Sequence, residues 1–84
     1  MLIVSEETCQ AVVGRSDAFQ AVEGVFAAMA SGDAYNFPVI REAIGHADAL
    51  YGFKSGFDRT GLVLGLKSGG YWPGNMDKGL TNHQ

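Results

Sequence analysis

The sequence is short of the features that mark most functional classes. It has a single cysteine among 84 residues, so no internal disulfide can form, and a reducing compartment is expected. That residue, Cys9, stands among Thr8, Ala11 and Val12, the setting of a small buried apolar residue rather than of a nucleophile. Basic residues are few, six against nine acidic, which leaves a net charge of -3 and no basic patch for nucleic acid or an anionic membrane. No apolar run approaches the length of a membrane span. The opening residues 1–7 turn acidic at Glu6 and Glu7 without the basic region of a signal peptide, which predicts an unprocessed N-terminus and a cytoplasmic protein.

The absent motifs exclude more. No GxGxxG occurs, so no dinucleotide site of the usual kind is expected in these residues. Gly65-Leu66-Lys67-Ser68 lacks the glycine spacing and the adjacent Gly-Lys of a phosphate-binding loop. His46 and His83 are far apart, and neither has a second ligand at metal spacing. No Ser/His/Asp arrangement is supported, and there is no internal repeat or low-complexity linker. At this length the chain is one domain at most, with a marginal core.

What the chain does have is glycine, unevenly placed. Nine of its twelve glycines lie between Gly45 and Gly79. Because glycine weakens helices and marks bends in strands, the first half should be helical and the second half strands and tight turns. Leu2-Ile3-Val4 suits a short buried strand. Ser5 is placed to cap a helix whose first turn carries Glu6 and Glu7, and which should end near Val13-Gly14. Ser16 or Asp17 is the expected cap of a second helix, with Gln20 in capping-box spacing and an end at residues 31–33. Phe19, Val22, Val25, Phe26 and Met29 form its apolar stripe, read as core packing.

From Asn36 the period becomes two. Strands are expected over 37–44, with Pro38 at the start, over 49–55 and over 62–68, with turns at 45–48 and 58–61. The predicted class is α+β, N-terminal helices packed on an antiparallel sheet with an unfinished edge.

Two cations interrupt the apolar strands. Alternation puts Lys67 on one face with Val63, Gly65 and Gly69, and the flanking glycines leave open space beside the ammonium. Arg41 shares a face with Val39 and Ala43, with Glu42 on the other. An arginine fork and a lysine on neighbouring strands would clamp a carboxylate. The plain alternatives are a strand-end lysine reaching into solvent and a surface ion pair. Tyr71 and Trp72 either wall a pocket or anchor the loop.

At Lys67 and beyond, the chain resembles the ornithine cyclodeaminase/mu-crystallin family. The matching words are Gly65-Leu66-Lys67-Ser68, Pro73-Gly74-Asn75 and Lys78-Gly79-Leu80-Thr81-Asn82-His83-Gln84. The resemblance extends through the opening strand, the two helices and Arg41. It implies that residues 1–84 are the N-terminal part of a substrate-binding and dimerising α+β domain, incomplete here and lacking its Rossmann partner for NAD or NADP. It implies that Arg41 and Lys67 hold the carboxylate of an amino or imino acid, with Lys67 assisting proton transfer. Asn82 stands where family members commonly carry Thr near the nicotinamide. Tyr51–Asp58 and Tyr71-Trp72 look closest to bacterial ketimine reductases such as those acting on pyrroline-2-carboxylate. Ornithine cyclodeamination and non-catalytic mu-crystallin-like ligand binding are the alternatives. A homodimer with no nucleic-acid or membrane partner is the implied assembly.

Overall fold

The structure is a computed structural model that describes residues 1–84. Two helices come first. Helix α1 spans Glu6–Val12, and its cap is Ser5, whose side chain accepts from the Thr8 N–H. Helix α2 spans Arg15–Ser31. Its cap is Gly14 rather than the expected Ser16 or Asp17. Asp17 instead sits in the first turn and its carboxylate accepts from the Gly14 N–H at 2.8 Å. The helix therefore starts earlier than predicted, because a carboxylate reaching back satisfies a free donor as well as a capping side chain does. It ends at Gly32, which is left-handed with φ of 79°, a conformation that disfavours any Cβ.

The sheet has four strands: β1 (Ala34–Asn36), β2 (Ile40–Ala43), β3 (Leu50–Asp58) and β4 (Val63–Tyr71). All pairings are antiparallel, and the α+β class is as expected. β3 is central. β4 covers one of its edges along nine residues, while β1 and β2 lie end to end along the other. The single strand predicted over 37–44 is thus two strands with a break at Phe37–Val39. Asn36 pairs with Gly56 and Ile40 with Phe53, so three residues on this edge face two on β3. That is a β-bulge, and it falls where Pro38 has no N–H to give. Phe37 bridges the gap by donating to the Ser55 carbonyl at 2.9 Å. β3 and β4 each begin one residue later and end three residues later than the alternation suggested, at Asp58 and Tyr71.

Other expectations fail for one physical reason, the lack of covering partners. Leu2-Ile3-Val4 forms no strand and is exposed, since it pairs with no edge of this sheet. Cys9 is exposed, and so is the α2 stripe, with Phe19 69% and Phe26 64% accessible. α2 meets the sheet mainly at β1. The buried residues are Ala34, Ala49 and Gly70. The accessible surface is 7080 Å², whereas a compact 8.9 kDa monomer would expose about 4,800 Å². The radius of gyration is 16.1 Å, against about 12 Å for a compact chain of this length. These are the dimensions of a layer shaped to be covered.

Candidate functional site

Strand register sorts the side chains into two faces. Arg41 pairs with Gly52, Gly52 with Gly69, and Lys54 with Lys67. Directly paired residues point to the same side, so Arg41, Lys54 and Lys67 share one face, and Gly52 and Gly69 lie between them. The opposite face is apolar. It carries Ile40, Tyr51, Phe53, Phe57, Leu64 and Leu66, with Tyr51 and Phe53 in an edge-to-face contact at 5.8 Å. Glu42 is on this second face, as the alternation of β2 required.

The cationic face holds an open trough of about 390 Å³. Its floor is bare because Gly52 and Gly69 have no side chains, and the backbone has closed over the space a Cβ would take. A Cβ on Gly52 would lie within van der Waals contact of the Ile40 carbonyl oxygen and 3.1 Å from the Arg41 Cα. One on Gly69 would lie 2.9 Å from the Gln84 carbonyl oxygen. Three cations line the trough, Arg41, Lys54 and Lys67, and no aspartate or glutamate does. Asp58 is on the same face but four residues along β3 from Lys54, and its carboxylate is engaged by the Thr60 N–H at 2.9 Å.

One expectation about this site needs correcting. Arg41 and Lys67 are not on neighbouring strands, since β3 runs between β2 and β4. They sit about 10 Å apart laterally, two strand spacings. Long side chains still let both reach one trough. The residue adjacent to each is Lys54, which sequence reasoning passed over. The turn expected over 58–61 would have set Lys54 opposite Gly65; the observed turn lies one residue later, pairs Asp58 with Val63, and so brings Lys54 opposite Lys67.

The end of the trough is built by the returning chain. After β4, a 3-10 turn over Pro73–Lys78 reverses direction. Trp72 then donates to the Asn82 carbonyl at 2.8 Å, and Gly70 and Gln84 exchange backbone hydrogen bonds at 2.8 and 3.2 Å. This brings His83 against Tyr71, with ring centroids 5.2 Å apart, at the trough wall. Tyr71 therefore walls the site as well as anchoring the loop. Asn82 is half-buried outside the trough lining, and its side-chain oxygen accepts from the Met76 N–H at 3.2 Å. Its visible work is to close the loop. No group of side chains in the chain is arranged to hold a metal ion, and no helix is long and apolar enough to cross a membrane.

Comparisons of sequence and of structure with known proteins agree. No family model matches the chain. All 84 residues are 61% identical to part of the iminosuccinate reductase of Paracoccus denitrificans (strain Pd 1222). The crystal structure of the Paracoccus denitrificans iminosuccinate reductase in complex with NAD+ superposes on the whole chain with a TM-score of 0.89. The chain spans only 26% of the length of that relative. Over these residues, then, its sequence and its fold are similar to a segment of an NAD+-complexed iminosuccinate reductase.

Proposed function

We infer that residues 1–84 are the substrate-binding part of a longer NAD-dependent imino-acid reductase whose substrate is iminosuccinate or a close analogue. The observation that carries this reading is the glycine-floored trough lined by three cations and no acid. Such a trough selects carboxylates, and the relative with 61% identity is named for reduction of an imino dicarboxylic acid. Arg41 offers its planar fork to one carboxylate across the floor from Lys67. Lys67 holds the same group and donates a proton to the imine nitrogen as hydride reaches the imine carbon, giving the amino acid. The residues here contain no GxGxxG and no βαβ unit, so the dinucleotide is assigned to the remainder of the protein. What the cofactor supplies in this reading is the hydride. Asn82 serves the cofactor side only through the loop it closes.

The trough also separates this reading from ornithine cyclodeamination. Ornithine brings a second ammonium, which three cations would repel and no carboxylate would receive. The cyclic ketimine pyrroline-2-carboxylate has one carboxylate and would leave part of the positive charge unanswered. The exposed apolar face with Leu64 and Leu66 supports a homodimer. A cytoplasmic location accompanies this proposal.

The test is reduction of iminosuccinate, formed in solution from oxaloacetate and ammonia, by the full-length protein with NADH. Loss of NADH absorbance dependent on both components is expected. No turnover with this substrate, alongside rapid turnover of ornithine, would reverse the assignment.

A further inference from the structure

The geometry points to Lys54 as the residue that reads the second carboxylate of the substrate, and so makes the site specific for an imino dicarboxylic acid. This rests on the reductase reading above and adds a residue to it. Lys54 lies directly opposite Lys67 on the central pair of strands. Their Cβ atoms are then about 5 Å apart, and like charges in directly opposed positions destabilise a strand pair. Arg41, diagonal to Lys54 across β2 and β3, adds a third positive charge at about 7–8 Å. Among residues 1–84 nothing in the trough offsets these charges: the lining they provide has no acidic side chain, Glu42 is on the other face, and Asp58 is held in the β3–β4 turn. An arrangement that is unfavourable when empty becomes favourable when an anion sits within it.

The spacing fits two carboxylates better than one. Arg41 and Lys67 flank the bare floor of Gly52 and Gly69, while Lys54 stands in the row of Lys67, beside that floor. The carboxyl carbons of a four-carbon diacid are about 4 Å apart, three carbon–carbon bonds of about 1.5 Å. With one carboxylate between Arg41 and Lys67, the other falls within the reach of the Lys54 ammonium, whose stem is long and solvent-exposed. Lys54 thus distinguishes a dicarboxylate from a monocarboxylate and takes no part in the chemistry at the imine carbon.

The experiment compares succinate with butyrate, four-carbon acids that differ by one carboxylate, by calorimetric titration of the full-length protein with and without NAD+. Wild type, Lys54→Met, Lys54→Arg and Lys78→Met are measured together, the last removing a charge outside the trough. Steady-state reduction of iminosuccinate and of pyrroline-2-carboxylate is followed in parallel. Succinate is expected to bind wild type about tenfold or more tightly than butyrate, as a charge-assisted hydrogen bond provides. Lys54→Met should abolish this preference, Lys54→Arg should keep most of it, and Lys78→Met should leave it intact. For Lys54→Met, kcat/KM on iminosuccinate should fall about 10- to 100-fold, with less than about a twofold change on the monocarboxylate. The assignment is overturned by equal binding of the two acids to wild type, by a preference that survives in Lys54→Met, or by equal losses on both imines. If wild type reduces neither imine, the reductase reading fails, and the succinate–butyrate comparison still decides the role of Lys54. If wild type reduces only pyrroline-2-carboxylate, the reductase reading stands and the Lys54 assignment falls.

Discussion

Replacing Gly52 by alanine adds one methyl group to the trough floor and should disable the site from beneath. The added Cβ would meet the Ile40 carbonyl oxygen well inside van der Waals contact and the Arg41 Cα at 3.1 Å. Both atoms are backbone, so no side chain can swing aside, and β2 must move off β3 by about 1 Å to restore the normal strand spacing of about 4.8 Å. Overpacking of this kind costs about 1–3 kcal/mol. Weakening one of the β2–β3 hydrogen bonds adds about 1 kcal/mol. In a longer protein of the proposed kind, each kcal/mol lowers Tm by about 2–4 °C. The functional loss should be larger than the stability loss, because β2 carries Arg41, and a 1 Å misplacement of a positioning residue costs up to about 100-fold in rate. Gly65→Ala is the internal control: it lies on the same face of β4, and a Cβ there has no atom within 4 Å. Thermal unfolding and kcat/KM of the two full-length variants make the comparison. If Gly52→Ala and Gly65→Ala behave alike in both, the account of the floor is wrong.

Other perturbations probe different parts of the layer. Arg41→Ala and Lys67→Ala should each raise KM for the imino acid about 10- to 100-fold and lower kcat, since each removes a charged donor; steady-state kinetics near wild type for both would remove the carboxylate assignment. Leu62, in the β3–β4 turn, has φ of 52° and is exposed, so Leu62→Gly should raise stability by about 1 kcal/mol in chemical denaturation by relieving left-handed strain. If the proposed homodimer uses the exposed apolar face, Leu66→Glu puts a charge in its middle and should shift the full-length protein from dimer to monomer in sedimentation velocity; a monomeric wild type would remove the dimer, and an unchanged dimer would move the interface elsewhere.

The parts that could be read in the sequence were those fixed by local rules. Period-two alternation put Lys67 with Gly65 and Gly69 and Arg41 away from Glu42, and pairing in the sheet preserves both. Ser5 capped the helix its spacing suggested. What could not be read depends on partners. The stripe of Phe19, Val22, Val25, Phe26 and Met29 has the correct period for a core face, yet periodicity records that a face is apolar and not what covers it. The same holds for Leu2-Ile3-Val4, since a strand exists only through the edge it joins. Lys54 was hidden differently. It looks like an ordinary polar residue between Phe53 and Ser55, and only the register across a hairpin of two nine-residue strands reveals that it faces another lysine.

The bulge at Phe37–Val39 does more than accommodate a proline. On β1 the residues sharing the Lys67 face are even-numbered, Ala34 and Asn36; on β2 they are odd-numbered, Arg41 and Ala43. The extra residue is what changes the parity. Add one residue to the three while β1 keeps its pairing and a single bulge, and the strand emerges turned over, with Glu42 toward the trough and Arg41 among the aromatics, whereas removing one of the three only flattens the bulge and leaves Arg41 opposite Gly52. The charge at that end of the site would change sign with no residue substituted. A one-codon insertion would therefore turn the proposed anion receptor into one that welcomes an amine, which makes the length of this edge, as much as its composition, a carrier of specificity.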